Sequence, residues 1–341
     1  MTIHQLLSSF DYESLLKYGA FLGVQIFLTE NLWILLVTYD EVYKYGKKVE
    51  QITFAFELSD SKLLSEVEGM VAVIKFVTCI NYLLGICTSL TLLCSQDILK
   101  DIIYLRVWIC QNFSATTCSI VGYSISLLDI PIICSTVSMP FLLVYFEIVD
   151  IVHVKYLNEL IKTICESSLL EEELYNSELF QRIVSQKLKI CIMMHEKLIN
   201  VSLLGTEMIY IPVLLVALGS LILGSSMLLF ILALDFEEMN VFLIGIFSGT
   251  VNYLICVWLY IYFSQLLKNE SEHSYYLLTQ LPWYYMNKNN RQMFSVLLRK
   301  AEKPISCQTN ILEVNFLLVV RIFKSLYSVA AIITRFQPRL E

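Results

Sequence analysis

Long apolar stretches separated by polar links recur along the whole chain. Each is long enough to cross the roughly 30 Å hydrocarbon core of a membrane, which takes a helix of about 20 residues. They are too long for the strands of a transmembrane β-barrel, which alternate apolar and polar positions over about ten residues. The pattern predicts one all-α domain over residues 1–341, a polytopic membrane bundle with seven transmembrane helices. The predicted spans are 18–39, 67–94, 103–127, 131–154, 202–234, 240–264 and 311–336.

Composition supports a membrane protein and narrows the functions to consider. Hydrophobic residues make up 57% of the chain, mean hydropathy is +0.65, and only 16% of residues are charged, against roughly 25% in a typical globular domain. No basic patch typical of nucleic-acid binding is present, and no Walker, HExxH or GxSxG motif occurs. We therefore expect contact with membrane lipid, no nucleic-acid partner, no enzymatic activity and no cofactor.

The distribution of Lys and Arg predicts an orientation. Segments 155–200 and 265–310 carry six basic residues each, whereas the links at 128–130 and 235–239 carry none. The first loop, 40–66, is an exception with four lysines. Because cytoplasmic loops carry the excess of Lys and Arg, seven spans predict a cytoplasmic N-terminus and an extracellular C-terminus. This orientation is the reverse of a G-protein-coupled receptor, and the lack of inverted repeats argues against a transporter.

Three Asn-x-Ser/Thr sequons bear on the same orientation. Asn112 falls inside the predicted third span, and Asn200 and Asn269 fall in segments predicted to be cytoplasmic. We therefore expect none of the three to carry a glycan.

Cysteines and charged residues within the spans leave two interpretations open. The ten cysteines show neither CxxC nor Cys/His zinc spacing, and buried cysteine behaves as a small hydrophobe, so we expect no disulfide and no metal site.

Charged groups in a span either pair or snorkel to an interface, or they line a ligand or ion pathway. The residues concerned are Lys75, Arg106, Glu147, Asp150 and Glu207, with His153 close to the cytoplasmic end.

The last span carries a polar stripe with helical period. Arg321, Lys324, Ser325 and Ser328 recur at i, i+3, i+4 and i+7, and Arg335 extends the stripe. Such a stripe faces either other helices of the bundle or water. Two interpretations follow, packing within the chain and the lining of a water-filled path. Elsewhere, Gly19/Gly23 and Gly245/Gly249 have the GxxxG spacing that permits close helix approach.

Several residues and stretches from about residue 195 onward form a recognisable pattern. One stretch starts at His195, and another covers 317–336. The other residues of the pattern are Glu196, Lys197, Asn269, Glu270, Ser271, Trp283, Arg291, Leu297, Leu298, Arg299, Lys300, Ala301, Lys303, Pro304, Lys324, Ser325, Tyr327 and Ser328, with Lys75 in the N-terminal half. The pattern resembles the insect odorant receptor family: the stretch at His195 is similar to the start of the family's fifth helix, and 317–336 is similar to its terminal helix. A Gly-x-Trp-Pro motif often found before the family's first helix is missing.

The resemblance implies a function that composition alone does not. It implies a tuning subunit of an odorant-gated, nonselective cation channel in the plasma membrane of a sensory-neuron dendrite. The partners that it implies are a small volatile odorant and a co-receptor subunit in a hetero-tetramer whose terminal helices line one pore. A gustatory receptor of the same architecture is the nearest alternative, although the chain lacks that family's TYxxxxxQF-like ending.

Candidate residues follow from this interpretation and from the predicted spans. An apolar pocket would hold an odorant mainly by excluding water, and hydrophobic constrictions can gate a pore by dewetting. The predicted ligand-binding residues in the outer half are Met70, Ile74, Tyr123, Met139, Phe230 and Phe242. The predicted pore residues are Ser328, Ala330, Ile333 and Thr334.

Overall fold

A computed structural model describes residues 20–52, 61–94, 109–165, 177–233, 241–308 and 313–336, and this part of the chain is almost entirely helical. Six long helices and one of 14 residues account for most of it. The helices are α1 (Ala20–Ile52), α2 (Ser61–Cys94), α3 (Ala115–Thr163), α4 (Glu178–Ala233), α5 (Val241–Gln280), α6 (Lys288–Ala301) and α7 (Phe316–Phe336). A 3-10 turn, Trp283–Tyr285, lies before α6.

Local sequence explains where several helices begin and end. The Ser114 side chain accepts a hydrogen bond from the Thr117 amide at 3.3 Å, and the Asn287 side chain accepts one from the Asn290 amide at 2.9 Å. Both are N-cap contacts, which satisfy a backbone N–H that has no partner inside the helix. Helix α5 ends shortly before Pro282, which has no N–H to donate and whose ring would clash with the carbonyl one turn earlier in a continued helix.

The two ends of the bundle differ in charge. We call the end that holds Lys155, Lys187, Lys268 and helix α6 the basic end. We call the end where α2 and α4 finish and α3 and α5 begin the far end. The largest apolar core lies toward the basic end, where α3, α4, α5 and α6 pack around fully buried side chains such as Leu188, Leu278 and Leu297.

Contacts along the helices fix their directions. Tyr45 of α1 lies against Gly205 of α4, whereas Phe27 lies against Gly219, so α1 and α4 are antiparallel. Glu66 near the start of α2 pairs with Lys155 of α3 at 2.9 Å. Helices α1 and α3 therefore run toward the basic end, and α2 runs away from it.

One predicted link is part of a helix. The spans 103–127 and 131–154 were expected to be separated by a turn at 128–130, but these three residues lie inside the 49-residue helix α3. At 1.5 Å per residue this helix is roughly 74 Å long, well beyond one bilayer core. The predicted turn is therefore wrong, and neither Asp129 nor Pro131 ends the helix. Proline lacks an N–H donor, but the long helices of membrane proteins tolerate it.

The predicted side of the first loop was also wrong. If 103–127 is counted as a separate span, the predicted direction of the two helices before it is reversed. The segment 40–66 is then predicted on the other side of the membrane from 155–200. In the structure α1 ends and α2 begins at the basic end, since Lys155 contacts Glu66 at 2.9 Å and Glu270 at 3.8 Å. The lysines of 40–66 therefore join the other basic segments. Among the described residues there are six long helices, and the start of α1 and the end of α7 lie at the same, far end.

A disulfide was not expected from the sequence, yet Cys110 and Cys118 are bonded, with their Cα atoms 4.9 Å apart. The prediction placed both in one span. The structure has a bend at residues 113–114 between a short helical turn and α3, and this bend brings the two thiols together. The prediction of no disulfide was therefore wrong at this pair.

Among the described residues, two helical stretches have the length and hydropathy of a membrane span. They are Leu63–Thr91 in α2 and Ile244–Gln280 in α5.

A candidate pore helix and the polar contacts behind it

The start of helix α7 is held against α5. Cys307 and Val314, on either side of residues 309–312, are buried with Ile261 of α5. Lys268 of α5 donates to Glu313 at 2.8 Å. The position from which α7 departs is therefore fixed by α5.

One face of helix α7 packs against the rest of the chain. Leu318 and Val319 pack with the cluster around Cys307, and Leu326 lies against Gly224 of α4. Among the described side chains of α7, several on the other face are exposed in the single chain, with Phe323 62% and Tyr327 76% exposed. A helix in this position requires lipid or another protein chain on its open side.

The polar stripe lies on that open side. Arg321, Lys324, Ser325 and Ser328 are all exposed, and the two serine hydroxyls donate to carbonyls of their own helix at 3.0 and 2.9 Å. Within the described part of the chain, neither cation forms an ion pair with a carboxylate. Packing inside the chain, one of the two interpretations of the stripe, is therefore not what the structure shows. Ala330 is half-buried, and Ile333 and Thr334 continue the helix.

A buried polar cluster lies directly behind the start of α7. Ser264 of α5 donates a hydrogen bond to the Glu147 carboxylate of α3. One turn earlier on α5, the Tyr260 hydroxyl lies 3.1 Å from the Cys307 thiol. Glu147 and Asp150 are both buried, so they do not snorkel to an interface. The cluster joins α3, α5 and the segment that leads into α7.

A second polar network lies nearer the basic end. Asn158 of α3 is buried, donates to the Glu270 carbonyl at 3.2 Å and accepts from the Ser274 hydroxyl at 2.5 Å. The neighbouring Ser271 accepts from the Ile305 amide at 2.8 Å. This network connects α3 and α5 to the segment that follows α6.

Helices α2 and α5 meet along a seam toward the far end. Asn252 donates to the Asn81 carbonyl at 3.0 Å, and the Thr88 and Ser248 hydroxyls are 2.8 Å apart. A Cβ atom at Gly245 would collide with the Thr91 side chain. The close helix approach expected from the Gly245/Gly249 spacing is therefore confirmed, since only small residues leave room for it.

The structure separates the predicted ligand-binding residues. Met70 and Ile74 lie between Glu66 and Asn81 on α2, on the basic-end side. Their assignment as ligand contacts stays a prediction. Tyr123 is 51% exposed near the start of α3. Three more residues lie on described helices, with side chains outside the described part: Met139 on α3, Phe230 near the end of α4 and Phe242 at the start of α5.

The sequence alone did not single out the polar contacts of α5. Asn252, Ser264 and Ser274 are each unremarkable in an apolar or mixed stretch, and their partners are more than 100 positions away in the chain. The available signal was the presence of Asn and Ser inside long apolar helices, where such groups usually bond across a helix interface. Lys75 is exposed on α2, and Arg106 lies outside the described residues.

His195 gives a prediction for pH. It is buried in α4, and burial together with the nearby Lys300 lowers its pKa below the ordinary value of 6.5. Below pH 6.5 the unfolded chain then binds more protons than the folded chain, so stability should fall as the pH drops from 6.5 toward the lowered pKa. Thermal unfolding in detergent between pH 7.5 and 5.5 should show this loss. His195→Gln should reduce it, whereas His273→Gln, at an exposed position, should leave it unchanged. Equal pH dependence in the parent and His195→Gln would contradict the assignment.

Comparison with known proteins identifies the fold. Neither a family model nor a curated protein matches the sequence. The solved structure of the insect olfactory receptor OR5 from Machilis hrabei matches over 93% of this chain and 81% of that one, with a TM-score of 0.67 and 13% sequence identity. The structure of that receptor in complex with eugenol matches over 91% and 80% of the two chains, with a TM-score of 0.60 and 12% identity. The chain therefore has an insect olfactory receptor-like fold.

Proposed function

We propose that this chain is a tuning subunit of an odorant-gated, nonselective cation channel in the plasma membrane of a sensory-neuron dendrite. The observation that carries the proposal is the uncovered face of α7. A helix that packs on one side and exposes Phe323, Tyr327 and a polar stripe on the other is suited to assembly around a shared path. The receptor fold supports the same proposal.

Charge and the disulfide support one orientation in the membrane. The basic end holds 155–200, 265–310 and the lysines of 40–66, so the positive-inside rule places it in the cytosol. The far end is then external, and the Cys110–Cys118 disulfide lies there, where oxidising conditions favour disulfides. In this orientation the start of α1 and the end of α7 are both extracellular.

The pore path is proposed along the outer part of α7. Ser328, Ala330, Ile333 and Thr334 lie on its far-end half, and we assign Ile333 to the constriction. Arg321 and Lys324 from identical subunits would surround one axis with positive charge, an arrangement that suits anions. We therefore propose assembly with a co-receptor subunit as a hetero-tetramer, in which fewer copies of this stripe surround the axis.

The ligand is proposed to be a small, mostly apolar volatile molecule. Tyr123, Met139, Phe230 and Phe242 belong to the far-end parts of α3, α4 and α5 and are kept as candidates for its contacts. Eugenol, the ligand of the similar receptor, is such a molecule. Met70 and Ile74 lie nearer the basic end and are less suited to this role.

Helix α5 is the proposed connection between ligand and pore. It contacts α2 through Asn252 toward the far end, and its Tyr260 lies beside Cys307 ahead of α7. A ligand opens a pore only if it binds the open state more tightly than the closed state. A shift of α5 that favours binding would move the start of α7 in the same step.

Whole-cell recording tests the proposal. The chain would be expressed in oocytes with and without an odorant co-receptor, and a broad odorant panel applied while G-protein signalling is blocked. We expect rapid cation current only when the ligand is applied, and larger current with the co-receptor. Odorant responses that disappear under G-protein blockade would contradict a channel function.

A further inference from the structure

A sequon lies on the bend that precedes α3. Asn112 is the last residue of a short helical turn at 109–112, and Phe113 and Ser114 form the bend. All three residues are exposed, Phe113 by 53%. The predicted span 103–127 is therefore interrupted by a bend directly after Asn112. An exposed Asn-x-Ser on a bend between helices is what N-glycosylation requires of its acceptor.

This bend lies beyond the end of α2. Glu66 of α2 is level with Lys155 of α3, and α2 ends at Cys94 whereas α3 extends back to Ala115. At 1.5 Å per residue, the start of α3 lies roughly 18 Å past the end of α2. Near this start, Ile120 is 62% exposed. Helix α2 therefore does not cover the sequon.

The other two sequons lie elsewhere. Asn200 is on the basic-end half of α4, and Asn269 is on α5 beside Glu270, which lies 3.8 Å from Lys155. Of the three sequons, Asn112 alone lies at the far end. In the proposed orientation only this end passes through the compartment where glycans are attached.

We propose that Asn112 carries an N-linked glycan, an inference that rests on the proposed membrane orientation. The donor class is a lipid-diphosphate-linked oligosaccharide. The Asn112 Nδ2 atom forms a bond to C1 of the first sugar, the bond from C1 to the diphosphate oxygen breaks, and the lipid diphosphate leaves. Nδ2 loses one proton in the exchange, and no oxidation or reduction takes place.

The fold also indicates when this transfer occurs. The Ser114 hydroxyl completes the sequon. It accepts a hydrogen bond from the Thr117 amide at 3.3 Å and lies 3.0 Å from the Thr117 hydroxyl. In the folded chain it is therefore occupied as the cap of α3. The transferase therefore has to recognise this hydroxyl in the nascent chain, before the first turn of α3 folds and before the Cys110–Cys118 bond forms.

Glycosidase treatment of the full chain expressed in insect cells tests the site. Treatment with peptide N-glycosidase should increase the gel mobility of the parent by the amount expected for the loss of one glycan. The shift should be lost in Asn112→Gln and in Ser114→Ala, and it should be kept in Ser114→Thr, which retains the hydroxyl. Asn200→Gln and Asn269→Gln are the matched controls and should shift as the parent does.

A reporter sequon separates failure of the site from failure of the orientation. Asp235→Asn with Glu237→Thr places a new sequon in the connection between α4 and α5, which both reach the far end. A glycan on the reporter with none on Asn112 would overturn the site and leave the orientation intact. A shift that depends on Asn200 or Asn269, or no glycan on either the reporter or Asn112, would overturn the orientation and the proposed function with it.

Discussion

Replacing Asn158 with alanine is expected to destabilise the detergent-solubilised protein by about 1–3 kcal/mol, because a buried polar group is left without its partner. Asn158 donates to the Glu270 carbonyl and accepts from the Ser274 hydroxyl. Both partners are on α5, and water does not readily replace a side chain that is only 3% exposed. The unfolding temperature of the purified protein measures the effect.

The matched control is Asn269→Ala, on the stretch of α5 that carries both partners of Asn158. Asn269 is exposed, and its side chain accepts a hydrogen bond from Gln265 at 2.8 Å on the surface. Surface substitutions of this kind usually change stability by no more than about 0.5 kcal/mol. Equal losses in the two variants would show that the buried network does not hold α3 to α5.

Loss of the Asn158 hydrogen bonds should reduce channel function as well as stability. The Asn158 network lies beside Ser271, which binds the Ile305 amide in the segment that leads toward α7. Coupling between two sites needs an element whose position both sites influence. We therefore expect Asn158→Ala to reduce odorant-evoked current even in channels that reach the cell surface.

Much of the fold follows from the apolar pattern. The spans 202–234, 240–264 and 311–336 overlap helices α4, α5 and α7. The parts of α4 and α5 beyond these spans, 178–201 and 265–280, pack against one another and against α6 through residues such as Leu188 and Leu278. The apolar pattern predicted spans of bilayer length, so it could not show that these helices continue.

The directions of the first two helices could not be predicted from the same pattern. They depend on whether residues 128–130 form a turn, and one misplaced turn inverts every helix before it. The four lysines of 40–66 were the signal, since they violated the positive-inside rule only under the wrong count. The ion pair between Glu66 and Lys155 places these lysines at the same end of the bundle as the other basic segments.

The candidate pore face was predictable, whereas the contacts behind it were not. The period of Arg321, Lys324, Ser325 and Ser328 is local and can be found in any helix. The contacts of Glu147 with Ser264 and of Tyr260 with Cys307 join positions 117 and 47 residues apart. Their meeting depends on how three helices pack, which a single sequence does not specify.

The central claim is that the open face of α7 lines the ion path, and cysteine modification during recording tests it most directly. Ser328→Cys would be compared with Leu326→Cys in a chain whose exposed Cys79, Cys87 and Cys94 are replaced by alanine. Ser328 is exposed, whereas Leu326 lies against Gly224 of α4. The reagent is a positively charged thiosulfonate, applied during odorant-evoked current with the co-receptor present.

A positive charge about 4 Å from a passing cation costs roughly 4 kcal/mol at an effective dielectric constant of about 20. Each 1.4 kcal/mol or so corresponds to a factor of ten, so even after screening by salt the current through Ser328→Cys channels should fall at least tenfold. The Leu326→Cys channels and the parent should keep their current. Block at Leu326→Cys with none at Ser328→Cys, or no block at either despite confirmed labelling of Ser328→Cys, would contradict the account.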